Sequence, residues 1–243
     1  MSHGFFATIF YIPLYNALVF LISIIPGKSA GLAVLILTLI IRFILFPLSK
    51  KAIRTQLQMK QIEPAVKQIR DKEKDRNEQG KQIMALYKEK GVNPFAGFFL
   101  LLIQFQILFA LYQVFRSSLL TVDPTILYSF VHAPVGISTY FLGFDLNSFV
   151  LRFSLAAVTV VTQFIQINLS LPKVEKKANA SFQHDLAYSM NMQMRYIFPF
   201  VFFFIAIISS VLSIYFITTN IFMTCQELFV KRKLAKEYAK GVW

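Results

Sequence analysis

Arg42 has the strongest claim to chemistry in this sequence. It is the single ionisable group in the run 32–49, LAVLILTLIIRFILFPLS, and 18 helical residues at ~1.5 Å each just cross a ~30 Å hydrocarbon core. A guanidinium in that setting costs at least ~2.5–3.5 kcal/mol on insertion scales, so something must compensate it. The residues alone leave two answers open. The side chain can snorkel toward Lys50, about 12 Å further along a helix, or it can face a wet cavity between helices and meet a ligand there. Thr38 lies four residues earlier, on the same helical face. Gln104 and Gln106 fall inside a second apolar run; Thr159, Thr162, Gln163 and Gln166 in a third; Tyr215, Thr218, Thr219 and Asn220 in the last. Any one of these is explained by helix–helix hydrogen bonding in a bilayer. Taken together, one mid-membrane cation and amides on several helices form a candidate hydrated, positively charged groove for a substrate. Its expected lining is Arg42, Thr38, Gln104, Gln166, Tyr215 and Asn220.

Other chemistries have no visible home. The expected spans carry no Asp or Glu until Glu227, which argues against a proton-coupled pump, since such pumps use intramembrane carboxylates. There is no HExxH, P-loop or GxSxG. His3, His132 and His184 are scattered without ligand spacing, and the single cysteine, Cys225, excludes an internal disulfide and a multi-cysteine metal site. The sequence therefore predicts no enzyme, no cofactor and no metal. The start, MSHGFFATIF, lacks a basic n-region and an A-x-A cleavage site, so no removable signal peptide is evident. The N-x-S/T matches at Asn168 and Asn179 read as chance.

The elements that must position these residues follow from hydropathy and charge. Of 243 residues, 56% are hydrophobic and 27 are Phe, too apolar for an ordinary soluble domain. The formal net charge of +13 would suggest nucleic acid in a soluble protein; here it reads as a topology signal, with no specific nucleic acid expected. The basic residues cluster: 12 Lys and Arg in 50–90, 4 in 172–195 and 5 after Phe229. The positive-inside rule puts all three segments in the cytoplasm. An even number of crossings must then separate Arg195 from Lys231. The 34-residue run 196–229 is too long for one span, so it divides into two, with Ser209, Ser210 and Ser213 marking the turn. The expectation is an all-α polytopic membrane protein, a single domain over 1–243, with transmembrane helices at 32–49, 94–115, 149–171, 196–212 and 213–230. Segment 5–25 is apolar but interrupted by Pro13 and Asn16; it either spans or lies in the interface. Segment 50–90 reads as a cytoplasmic helical hairpin, with Ile53, Leu57, Ile62, Val66 and Ile69 on one face, Pro64 kinking or restarting the first arm, and Ile83, Leu86 and Tyr87 on the returning helix. Segment 231–243 is a basic cytoplasmic tail, whose Lys231, Arg232, Lys233, Lys236 and Lys240 suit an anchor on anionic lipid.

These residues resemble a known family, the YidC-type membrane protein insertases of bacteria, with relatives in mitochondria and chloroplasts. VNPFAGFFLLLIQFQILFALY is similar to that family's N-P-x-x-G-C-x-P-x-L-I-Q-x-P-I-x-x-A-L-Y, through Asn93, Pro94, Gly97, Leu102, Ile103, Gln104, Ile107, Ala110, Leu111 and Tyr112. It departs at Phe98, Leu100 and Gln106. Thr38, Arg42, Pro47, Leu48, Ser49 and Lys50 match T-x-x-x-R followed by P-L-[ST]-K. MALYKEKGVNP, MNMQMRYIFPF and IYFITTNIFMTCQ resemble the hairpin's end and the last two spans, with Ser209 and Val211 where the family has a Pro-x-Gly turn. The resemblance covers roughly residues 5–233. It implies five core spans, a cytoplasmic helical hairpin and an outer amphipathic helix, which would make 5–25 interfacial and the N-terminus external. It also implies a multi-pass protein of the bacterial plasma membrane, lacking the large outer domain of many relatives. Its partners would be nascent membrane proteins and the lipid bilayer, with the ribosome, the Sec translocon and signal-recognition targeting machinery as further candidates. A small-solute channel or carrier and a structural scaffold are the rival readings.

Overall fold

The computed structural model describes residues 7–93, 96–116, 122–171 and 188–239. Over these the chain is nearly all helical. A π-helical turn, Ala7–Tyr11, leads into α1 (Ile12–Ile24). Pro13 is tolerated there because the first turn of a helix has no intrahelical acceptor for its missing N–H. Pro26 ends α1, and Gly27 and Lys28, both at positive φ, turn the chain into α2 (Ala30–Ile44). The helix expected over 32–49 divides at Leu45. Pro47 has no N–H to give the carbonyl of Phe43 and its ring crowds that turn, so helix restarts as α3 (Phe46–Lys72) with the proline in its first turn. Helix α3 then continues across Pro64 without the restart that was one of the two expectations there. Asp75 caps α4 (Arg76–Glu89) by accepting the Asn77 N–H at 2.8 Å. Next come α5 (Ala96–Arg116), a 3-10 turn at Pro124–Ile126, and a short antiparallel pair, β1 (Tyr140–Phe141) with β2 (Phe144–Asp145). Finally come α6 (Phe149–Ser170), a π-helical turn at Gln193–Ile197, α7 (Phe198–Ala206) and α8 (Ser210–Ala239).

Two of these stretches, Ala7–Ile24 and Phe149–Ser170, are long and apolar enough to cross a membrane, and a third is if α2 and α3 count as one broken span. Ala7–Ile24, most of the segment expected either to span or to lie in the interface, has the length and composition of a span. The last long run turns at Ile207–Ser209, earlier than the 212/213 division expected, and α8 carries helix on to Ala239 through most of the basic tail. No Gly or Pro is needed at that turn because serines close it. Ser213 Oγ donates to the Ala206 carbonyl at 3.0 Å, and Ser210 Oγ donates to the Leu146 carbonyl at 2.6 Å. The expectations for Pro94, Gly97 and Leu102, for the polar stretch 172–187 with His184 and Asn179, and for His3 and Lys240 lie outside the residues or side chains described.

The chain forms two compact units. The first comprises Met1–Ile44 and Gln106–Cys225. Its core includes Leu18, Ile22, Val34, Leu111, Leu212 and Phe216, all fully buried, and the alanines Ala33, Ala110, Ala156 and Ala206 let backbones approach closely. The loop before α6 is stitched to the N-terminal helices of this unit. Asn16 Nδ2 donates to the Ile126 carbonyl at 2.9 Å and its Oδ1 accepts the Tyr128 N–H at 2.7 Å. Tyr15 Oη accepts the Asp123 N–H, and Ser29 pairs with Ser138 in a single parallel bridge. Gly31 lies so close to Phe141 that an added Cβ would come within 2.8 Å of its ring. The second unit comprises Leu45–Phe105 and Gln226–Trp243. There α3 and α4 contact each other, Gln79 Nε2 donates to the carbonyls of Arg70 and Glu73, and Gln226 Nε2 donates to the Phe46 carbonyl.

Candidate functional site

In the first unit, Arg42 lies two residues before the end of α2 and is only 6% exposed. It packs against the α8 face, which settles the direction its side chain takes: inward, not outward along the helix. Its Nη2 donates to Thr219 Oγ1 at 3.2 Å, and the Tyr215 side chain hydrogen-bonds the same guanidinium. Tyr215 and Thr219 stand four residues apart, so one face of α8 presents both to α2. Phe43 and Phe222 close the neighbouring contact edge to face, with ring centroids 5.1 Å apart. Asn220, rotated by ~100° from Thr219 on the same helix, looks to α6 instead, where its Nδ2 donates to Thr162 Oγ1 at 3.2 Å. Consecutive residues of α8 therefore tie to α2 and to α6.

The other expected residues separate into distinct roles. Thr38 is buried on the Arg42 face, and its hydroxyl donates to the Val34 carbonyl at 2.6 Å, which satisfies it within its own helix. Gln166 is buried and donates to Ser170 Oγ at 3.0 Å. Gln104 is half-buried in α5 and belongs to the second unit. Thr219, a polar residue of the last run outside the expected lining, meets Arg42 directly, as Tyr215 does. Its position four residues after Tyr215 is the signal that would have marked it.

The chemistry available to Arg42 follows from its surroundings. α1, α2, α6, α7 and α8 up to Gln226 contain no Asp or Glu. The partners named here are a hydroxyl and a phenol, both neutral, each able to accept from the guanidinium and to release it at modest cost. A charge-assisted hydrogen bond to an incoming carboxylate is stronger than either. Glu227, the first acid in the sequence of α8, is 3% exposed, belongs to the second unit and is paired with Lys231 Nζ at 2.7 Å. Among the described residues no group of three or more His, Cys, Asp or Glu is arranged to hold a metal ion.

A second buried guanidinium was read from sequence as a topology marker only. Arg195, on the π-helical turn, is 5% exposed. Its Nη1 donates to Asn168 Oδ1 at 2.5 Å and its Nη2 to the Leu171 carbonyl at 3.0 Å. It caps the C-terminal end of α6, where exposed carbonyls and the helix dipole favour a cation.

Comparisons with known proteins place the chain in a family. Residues 20–237 match the model of the 60Kd inner membrane protein family. A membrane protein insertase YidC of Oceanobacillus iheyensis is 31% identical over 96% of this chain and 86% of its own length. One from Clostridium tetani is 31% identical over 90% of each chain. One from Chlamydia caviae is 30% identical over 98% of this chain but only 30% of its own, longer sequence. With residues 20–237 covered by the family model and two insertases 31% identical along nearly the whole chain, the chain belongs to the 60Kd inner membrane protein family, the YidC/Oxa1 family.

Proposed function

We propose that this protein is a membrane protein insertase that moves nascent transmembrane segments from the cytoplasm into the bilayer through a hydrated, positively charged groove. The family is one of non-enzymatic insertases, and the reading needs no bond chemistry and no cofactor. The observation that carries it is Arg42: a guanidinium buried at the end of an apolar helix, turned toward neutral hydroxyls on α8. In this role Arg42 attracts acidic or polar residues in the short leading segment of a substrate. Water around Thr38, Gln166, Tyr215 and Asn220 shortens the hydrocarbon that segment must cross. The substrate's apolar span then slides into lipid, and burying about 20 apolar residues at roughly 25 cal/mol per Å² drives the transfer without ATP.

The same reading has five core spans, the N-terminus outside, the C-terminus in the cytoplasm and α3–α4 as a cytoplasmic hairpin. The distribution of 21 of 25 basic residues over three segments supports that orientation. The hairpin and basic tail are then candidate contacts for the ribosome, the Sec translocon and targeting factors. The test is insertion of a single-span substrate with an acidic N-tail into vesicles containing the purified protein. Arg42→Glu should strongly impair insertion and Arg42→Lys should reduce it mildly. Full insertion by Arg42→Glu across several substrates would overturn the mechanism. Flux of small solutes without a nascent chain would favour a channel instead.

A further inference from the structure

The loop ahead of α6 combines features that make little sense in water. Residues 124–144 contain no Asp, Glu, Lys or Arg. Their large apolar side chains stand exposed: Phe130 at 68%, Val135 at 87%, Tyr140 at 60%, Leu142 at 78% and Phe144 at 61%. The turn between β1 and β2 is made by Leu142 and Gly143, with φ of 51° and 86°. A two-residue hairpin turn of that kind favours Asn-Gly or Asp-Gly, because Asn and Asp tolerate positive φ and their polar ends face solvent. Leucine is poorly suited on both counts. It carries backbone strain at positive φ, and it holds an apolar side chain out at the tip. The two flanking carboxylates are turned back into local structure: Asp123 Oδ1 accepts from Thr125, and Asp145 Oδ1 accepts from Thr139 and Asn147.

What the patch meets is indicated by where it leads. It runs directly into α6, whose Phe149, Val150, Phe153, Val158 and Val161 are also exposed on a helix apolar enough to span a bilayer. Tyrosine and tryptophan collect where a span enters the headgroup region, and Tyr128 and Tyr140 stand exposed beside Phe130 and Phe144 in this loop. The loop's ties to α1 and α2 through Asn16, Ser29 and Ala30 hold its backbone in place. We infer that the 127–144 loop is a lipid-docking surface, which seats the Leu142–Gly143 tip and the rings of Phe130 and Phe144 in the headgroup interface at the N-terminal end of α6. The inference rests on the membrane-integral reading above, in particular on α6 being a span.

The sequence has a single tryptophan, Trp243, so the full chain with Trp243→Phe accepts one probe at a time. Phe130→Trp and Phe144→Trp are reconstituted in vesicles of phosphatidylcholine brominated either near the headgroup or near the tail end. Val161→Trp reports the bilayer interior. The expected result is that both loop probes are quenched at least about half as strongly as Val161→Trp, as an interfacial ring should be, and more by the shallow bromines than by the deep ones. Leu142→Asn relieves the turn and should cut the quenching of Phe144→Trp by about twofold. Loop probes open to acrylamide and blind to both lipids, with Val161→Trp quenched, would overturn the docking alone and leave the patch to a protein partner. Loss of quenching at Val161→Trp as well would overturn the membrane placement of α6 and the docking with it.

Discussion

Two arginines are buried to nearly the same degree in the first unit, Arg42 at 6% and Arg195 at 5% exposure, yet their surroundings differ in kind. Arg195 holds an amide oxygen and a helix-end carbonyl, acceptors fixed in the place where a cation relieves unpaired carbonyls and a negative dipole. Arg42 holds a threonine hydroxyl and a tyrosine, groups that rotate and have no formal charge. The first arrangement suits a staple and the second a cation held ready for exchange. On the proposed reading, the acceptors and not burial alone distinguish the two charges.

The sharpest way to break this comparison is charge reversal at Arg42. Arg42→Glu should lower insertion of acidic-tailed substrates on the order of a hundredfold, since an attraction at close range becomes a repulsion, measured as protease-protected substrate in vesicles. Arg195→Ala is the counterpart. It should cost about 1.5–3 kcal/mol of stability through lost charge-assisted hydrogen bonds, read as a fall in Tm in detergent, while insertion per folded molecule stays close to wild type. A folded but inactive Arg195→Ala protein would erase the distinction. Gly31→Ala probes the loop packing near α2: overpacking against Phe141 should cost about 1–3 kcal/mol, and Phe141→Ala in the same chain should recover most of it. The smallest effect is expected from Thr219→Val. It removes one neutral acceptor from a guanidinium that Tyr215 still engages, so stability should drop by about 1 kcal/mol and insertion should change only a few-fold. A Thr219→Val loss as large as that of Arg42→Glu would mean that the hydroxyl, not the charge, carries the site.

Much of this was legible in the residues. Long charge-free runs and the clustering of lysine and arginine mark a helical membrane protein, because transfer of apolar and charged groups is a property of each side chain and sums along the chain. The i, i+4 spacing put Thr38 on the same helical face as Arg42. Other features were not legible. Pro64 and Pro47 carry the same local penalty, yet α3 runs through one and restarts at the other. Arg195 looked like one more basic residue at the edge of a polar segment, and nothing near it in sequence announced that it turns inward to cap α6.

The sequence by itself determined which parts of this chain avoid water, that one cation had to be accommodated among them, and which faces of each helix carry polar groups, since these depend only on composition and helical period. The tertiary structure alone decided what that cation touches. Thr219 lies 177 residues from Arg42, and no local preference fixes such a pairing. It depends on which helices pack together, and several packings would bury the same apolar area.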